Sequence, residues 1–243
     1  MISEIICVGN EILSGDILNT NAQFISRGLK EIGIFVKYHT AVNDNTAELL
    51  AVLKHSVSRV DLIILTGGLG PTKDDLTKET IANFCNRKLI FDQQSFNIIS
   101  NYFKRLNLAV SETNKKQAYF PESAIIFENK NGTAPGFAVE FEFENTNKII
   151  IALPGPPNEM QPMFDNYVLK FLSKKTNNVI QTKIFRIFGI GEGVMAEKIQ
   201  DLIGLENPII APYVNQTDII VKLTAISDNK EETIKIIEKY MKK

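Results

Sequence analysis

Cysteine and histidine are scarce in this chain: 243 residues hold Cys7, Cys85, His39 and His55 and no others of either type. Two thiols are too few for a disulfide framework or a zinc site, and without a His–Cys cluster imidazole-based metal binding has no basis. No apolar run approaches the ~20 residues that cross a bilayer. The N-terminus lacks the basic stretch of a signal peptide and reads as a first strand, so the cytoplasm is the expected location, with no membrane partner. Charge of one sign is missing too: 27 Lys and Arg stand against 28 Asp and Glu, a net charge of −1. That balance leaves no electrostatic footprint for nucleic acid. Internal repeats and low-complexity tracts are absent. What is present, 44% hydrophobic and 23% charged residues, is ordinary globular composition. The length suits one large domain, or one domain with a small satellite.

The most informative segment is Leu65-Thr66-Gly67-Gly68-Leu69-Gly70-Pro71-Thr72-Lys73-Asp74-Asp75-Leu76-Thr77. A short apolar run, Asp61-Leu62-Ile63-Ile64, precedes it and reads as a buried strand. Lys78-Glu79-Thr80-Ile81 follows and opens a helix. Three glycines in a strand-to-helix turn let backbone N–H groups approach a ligand phosphate. A β-branched residue at Gly68 is therefore expected to restrict the turn and hold a phosphate away. The carboxylates of Asp74 and Asp75 would repel a bare phosphate, so the combination points to phosphate held with a divalent cation. With oxygen ligands, that cation is Mg²⁺ or Mn²⁺. The plainer alternative is a capping box, since Thr72 and Asp75 have its spacing.

Strand and helix signals alternate from the start: strand 5–8, helix 21–32, strand 34–42, helix 46–58, strand 62–65 and a helix from Thr77. This βα order predicts a parallel sheet covered by helices on both sides. Residues 91–106 read as a helix, 137–143 as a half-exposed strand, 148–153 as a buried strand and 158–171 as a helix. The polar stretch 173–178 reads as a linker. Beyond it lie strand 182–188, helix 192–203, an extended piece at 208–212, strand 218–225 and helix 230–240, a compact β-α-β-β-α unit.

In open parallel sheets, ligands bind beyond the carboxyl ends of the strands. Three loops leave such ends: Gly9 to Asn21, with Glu11, Asn19 and Asn21; the glycine loop; and Leu153-Pro154-Gly155-Pro156-Pro157-Asn158-Glu159. Asn43-Asp44-Asn45 adds a carboxylate after the second strand. Each has a plainer role: Asn19, Asn21 or Asp44 as helix caps, and Glu159 as a first-turn acid. Lys73 is a phosphate clamp or a solvated loop lysine.

At these residues the chain resembles the N-terminal part of the CinA competence/damage-inducible family. The likeness rests on Gly9-x-Glu11-Ile12-Leu13-Ser14-Gly15 with Asn19-Thr20-Asn21, on Thr66 to Thr77, and on Leu153 to Met160. Lys116-Gln117-Ala118-Tyr119-Phe120-Pro121, Asn131-Gly132-Thr133-Ala134-Pro135-Gly136-Phe137 and Phe188-Gly189-Ile190-Gly191-Glu192 extend it over essentially the whole chain. The resemblance implies a three-layer, mostly parallel α/β domain of the molybdopterin-binding type over residues 1–172, shared with MoaB and MogA. A small α+β KH-like domain over 180–243 follows. It implies a homodimer, and hydrolysis of ADP-ribose at its pyrophosphate with a divalent cation; the expected reaction cleaves ADP-ribose, or a related nucleoside diphosphate sugar, to AMP and ribose 5-phosphate.

Asp44 and Asp75 fall where the MogA-type pattern keeps its two functional acids, and with Asp74, which has no counterpart there, they are the catalytic candidates; Asp44, Asp75 and Glu11 are the candidate Mg²⁺ (or other divalent cation) ligands. Expected substrate contacts are Glu11, Asn19, Asn21, Thr66, Gly67, Gly68, Gly70, Thr72, Lys73, Gly155, Pro156 and Glu159. The family's further domain, which deamidates nicotinamide mononucleotide, has no counterpart in these residues, so that reaction is not expected. A KH-type RNA contact needs a Gly-x-x-Gly loop beside basic residues, and Glu192 stands where a cation is wanted. The alternative reading is a non-catalytic molybdopterin- or nucleotide-binding protein related to molybdenum cofactor biosynthesis.

Overall fold

The computed structural model describes residues 1–176, 178–214 and 218–241. They form two compact units, one of residues 1–30 and 34–172, the other of 31–33 and 173 onward. The first unit contains β1 (Ile2–Val8), α1 (Asn10–Leu13), α2 (Thr20–Glu31), β2 (Phe35–Val42), α3 (Thr46–Arg59), β3 (Leu62–Thr66) and α4 (Thr77–Phe84). Next come β4 (Leu89–Phe91), α5 (Gln93–Arg105), α6 (Glu112–Lys115), β5 (Tyr119–Pro121), β6 (Ile125–Phe127), β7 (Gly136–Phe143) and β8 (Thr146–Leu153). It closes with α7 (Pro157–Met163) and α8 (Leu169–Ser173).

One six-stranded sheet, ordered β2-β1-β3-β8-β7-β6, organises this unit. Its first four strands are parallel, and β7 and β6 join antiparallel. The reversal comes at Glu144-Asn145, a two-residue turn with both φ values positive (48° and 60°), the backbone a twisted hairpin requires. All five residues of β3 are buried, as they must be when helices cover both faces. On one face Ile6, Val8, Ile63, Leu65, Ile150 and Ala152 share a core with Leu49, Leu53 and Val57 of α3 and Ile81 of α4. On the other, α2 meets the segment after α7 through Phe24 and Phe164, whose ring centroids lie 6.0 Å apart.

Two expected helices differ in detail. Residues 89–91 pair with β5, and the α5 helix starts only after Asp92, whose carboxylate accepts from the Ser95 N–H at 2.6 Å. The expected helix 158–171 is interrupted. Pro162 lies inside α7, and residues Phe164–Val168 widen into a π-helical turn before α8. Proline has no N–H for the helical ladder, and a π turn is one way the chain continues past the gap.

The second unit has β9 (Val179–Ile187), α9 (Glu192–Lys198), β10 (Ile209–Val214), β11 (Ile219–Ser227) and α10 (Lys230–Met241). Its antiparallel sheet is ordered β10-β11-β9. Met195, Ile210, Val221, Leu223, Ala225 and Ile237 form its core. The helix expected to reach residue 203 ends at Lys198 and gives way to a 3₁₀ turn at Gln200–Leu202. Of the expected linker, residue 177 lies outside the described residues.

Lys78, in the first turn of α4, is buried at 4% exposure. Its Nζ donates to the Gln117 carbonyl at 2.9 Å and stands 4.4 Å from the Phe120 ring centroid. Burial pushes this ammonium down to about 7; Glu79 and Asp75 hold it up, and Lys116 pushes it further down. Because the folded value lies below the ordinary 10.5, the fold is most stable at this position above pH 10.5. That stability is lost as pH falls through the window to about 7. Lys78→Met is therefore expected to raise the thermal transition, by about 1–3 kcal/mol at pH 6 and by less at pH 9. Melting curves at the two pH values check this, and an equal gain at both would contradict it.

Candidate functional site

Strands β1, β3 and β8 lie side by side and parallel, so their C-terminal ends open on one edge of the sheet. The loop after β2 joins the same edge. A cavity of about 390 Å³ sits there, lined from all four loops and by Gln117, Thr133 and Ala134. Of the expected residues it brings together Glu11, Asp44, Gly67, Gly68, Gly70, Thr72, Asp74, Asp75, Gly155, Pro156 and Glu159. Five of these are carboxylates, and its lining contains no Lys, Arg or His.

The loops are shaped by bonds among themselves. Asp75 turns back on Thr72, its Oδ2 accepting from the Thr72 N–H at 2.8 Å and from Oγ1–H at 2.7 Å. That closure has the spacing of a capping box, but α4 begins only at Thr77, so it orders the loop and does not cap the helix. Lys116 donates to the Asp75 carbonyl at 2.5 Å and pairs with Glu79 at 3.2 Å, tying the same turn from behind. Asp44 Oδ2 accepts from the Asn10 N–H at 3.1 Å, joining the loops after β1 and β2. Burial pushes the Asp44 carboxyl up; the Asn10 N–H works against this, and the charges of Glu11, Asp75 and Asp74 add to it. Asp44 is thus close enough to Glu11, Asp74 and Asp75 to feel their charge. Glu159 Oε2 accepts from Asn129 Nδ2 at 2.6 Å, and burial also pushes its carboxyl up, against the Asn129 amide.

The glycines divide into two kinds. Gly67 donates its N–H to the Leu153 carbonyl at 3.0 Å, so it is committed to the fold and not to a phosphate. Among the described backbone hydrogen bonds, the N–H groups of Gly68, Leu69 and Gly70 have no acceptor. These three residues line the cavity. Gly67 and Gly68 have φ of 106° and 66°, and a Cβ on them would collide with the Val8 carbonyl and with Thr77 Oγ1 respectively. A side chain at Gly68 thus presses on Thr77, a cost to the fold that comes in addition to the expected obstruction of phosphate. Gly67→Ala and Gly68→Val are expected to destabilise by roughly 3 kcal/mol or more, through positive φ and the close contact together. Chemical denaturation checks this, and variants as stable as the native chain would contradict it.

Four expected contacts do not line the cavity. Asn19 Oδ1 accepts from the Ala22 N–H at 3.1 Å, capping α2, and from Cys7 Sγ–H at 3.1 Å. Asn21 Nδ2 donates to the Gly155 carbonyl at 2.7 Å, holding the proline-rich loop against α2. Thr66 is buried at 1% exposure, with its hydroxyl toward Cys7. Lys73 is exposed. The first three border a neighbouring space of only about 50 Å³. Conversely, Gln117, Thr133 and Ala134 line the cavity without having been expected; the signal was there in the segments 116–121 and 131–137, to which residue chemistry alone gave no task.

Oxygen donors of this kind suit a hard divalent cation. Among the described residues, no group of three or more His, Cys, Asp or Glu is drawn together to enclose a metal.

Comparison with known proteins adds the following. Residues 4–174 match the family model described as "Probable molybdopterin binding domain", and residues 182–243 match that described as "Damage-inducible protein CinA KH domain". A "Putative competence-damage inducible protein" of Clostridium perfringens is 48% identical over 98% of this chain and 57% of its own length. One from Clostridium botulinum is 48% identical over the whole chain and 59% of its own length. The chain thus spans between half and two thirds of the curated relatives it matches. A crystal structure of CinA from Thermoplasma acidophilum superimposes with a TM-score of 0.61 at 32% identity, covering 71% of this chain and 97% of that one.

Proposed function

The chain belongs to the CinA competence/damage-inducible family, and from that premise we propose that it is a divalent-cation-dependent hydrolase of the ADP-ribose pyrophosphate, releasing AMP and ribose 5-phosphate. The observation that carries this reading is the combination in one cavity of the Gly68–Gly70 backbone donors with five carboxylates and no cationic side chain. A dianionic pyrophosphate entering alone would meet like charge on every side. With Mg²⁺ it is neutralised, and the mutual repulsion around Asp44 is relieved.

In this reading Asp44 and Asp75, with Glu11 beside them, hold the cation; Asp75 Oδ1 is left for it, because Oδ2 is occupied by Thr72. Bound there, Mg²⁺ supplies Lewis acidity that draws charge from the scissile anhydride. The N–H groups of Gly68, Leu69 and Gly70 orient the phosphate oxygens. Lys116 and Thr72 keep the Asp75 turn in place. Cytoplasmic residence and a homodimer belong to the same reading, the latter measurable by light scattering. The experiment is incubation of the purified chain with ADP-ribose and Mg²⁺, with products resolved by chromatography, beside calorimetric binding of the same ligand. Release of AMP and ribose 5-phosphate is the expected result. Tight binding without products would overturn hydrolysis in favour of a binding module, the role that the matched domain description suggests.

A further inference from the structure

Glu159 stands apart from the other carboxylates of the cavity. Asp44 is influenced by Glu11, Asp75 and Asp74, whereas the influences on Glu159 are its burial and the Asn129 amide. It is outside the acidic group that would attract the cation, yet it lines the same cavity.

The segment 129–134 is built around this side chain. Asn129, 5% exposed, donates from Nδ2 both to Glu159 Oε2 at 2.6 Å and to the Ala134 carbonyl at 3.0 Å. Its Oδ1 accepts from the Asn131 N–H at 3.0 Å, and Asn131 Nδ2 donates to the Asn158 carbonyl at 2.7 Å. Residue 132 is glycine, and a Cβ there would run into the Glu159 carboxylate. The neighbouring Thr133 and Ala134 line the cavity.

The consequence is a carboxylate with one oxygen fixed and the other, Oε1, without a partner among the described hydrogen bonds. An ionised carboxylate only accepts; burial pushes the Glu159 carboxyl up and the Asn129 amide works against this. No cationic side chain lines the cavity beside Oε1, so a ligand bound there can bring it a donor in place of water. In a nucleoside diphosphate sugar, the donors nearest the phosphates are sugar hydroxyls. Building on the hydrolase reading, we propose that Glu159, positioned by Asn129, accepts hydrogen bonds from the hydroxyls of a ribosyl group flanking the pyrophosphate, and so selects ribosyl over deoxyribosyl substrates.

A carboxylate that the bound ligand shields from water discriminates against a ligand lacking the donor by roughly ten- to hundredfold when the bond is charge-assisted. The test measures binding by calorimetry, with Mg²⁺, of two pairs that do not turn over: AMP against 2′-deoxy-AMP, and ribose 5-phosphate against 2-deoxyribose 5-phosphate. In the native chain at least one pair is expected to differ tenfold or more in Kd. In Glu159→Gln, whose amide oxygen can still accept from Asn129, the difference falls below threefold and the melting temperature holds. With ADP-ribose the same variant loses on KM, by tenfold or more, rather than on kcat. Should Gln fail to fold, Glu159→Ala carries the same expectation.

Equal affinities within both pairs in the native chain, a preference that survives in the variant, or a loss confined to kcat would each overturn the proposal. A native chain that discriminates the pairs through Glu159 but never cleaves ADP-ribose would overturn the hydrolase reading while leaving the sugar contact in place.

Discussion

Asp75→Asn is expected to lower kcat/KM for ADP-ribose by roughly 10³-fold while the folded chain persists. The reasoning starts from the two halves of its carboxylate. Oδ2 accepts from the N–H and hydroxyl of Thr72, and an asparagine oxygen can accept both bonds in its place. The missing Cβ of Gly70, which would come within 2.6 Å of this group, leaves room for an amide of the same size. What the substitution removes is the negative charge and Oδ1, the oxygen assigned to the cation. A factor of 10³ corresponds to about 4 kcal/mol of transition-state stabilisation, the scale on which Lewis-acid assistance operates. Steady-state rates and melting curves for Asp75→Asn and Asp74→Asn, taken side by side, decide which neighbour matters. A native rate in Asp75→Asn would remove it from the ligand set.

Asp44→Asn should separate activity from stability in opposite directions. The native carboxylate is half-buried and faces the charges of Glu11, Asp75 and Asp74. Without a cation that repulsion opposes folding, so the neutral variant melts higher than the native chain in metal-free buffer. Its oxygen can still accept from the Asn10 N–H, so the tie between the two loops survives. With Mg²⁺ the order reverses. At about 100 times its Kd, a cation stabilises the native fold by about 2.7 kcal/mol, or roughly 5–10 °C for a chain of this size. The variant should gain little of this and lose turnover by roughly the same 10³-fold. Thermal melts of both proteins with and without Mg²⁺ give the four values, and an identical Mg²⁺ shift in both would contradict the role given to Asp44.

The βα order and the sheet edge that carries the cavity were legible because buried parallel strands such as β3 are short, β-branched and apolar, and their loops begin where that pattern stops. The α1 turn was not, since four residues show no helical period. Nor was the β4–β5 ribbon, whose three-residue strands carry too little alternation. Pro162 was visible inside the expected helix, but proline announces a break without saying that a π turn will bridge it.

In the site, residue type pointed to Asp44, Asp74, Asp75 and the glycine loop. It could not distinguish Gly67, whose N–H is spent on Leu153, from Gly68 and Gly70. Lys78 looked like any first-turn lysine, and its burial follows from the Gln117 carbonyl and Phe120 ring, some forty residues along the chain. The same is true of Asn129, which reaches Glu159 across thirty positions. Side-chain partnerships over such distances leave no local trace in a sequence.

The claim at the centre of this account is that an acidic, glycine-edged cavity accepts a pyrophosphate only together with a divalent cation. Calorimetric titration of the native chain with α,β-methylene ADP, which cannot be cleaved at that bridge, tests it directly when run with Mg²⁺ and again with a chelator. The account predicts binding in Mg²⁺ and an affinity at least a hundredfold weaker without it; equal affinity in both would contradict it.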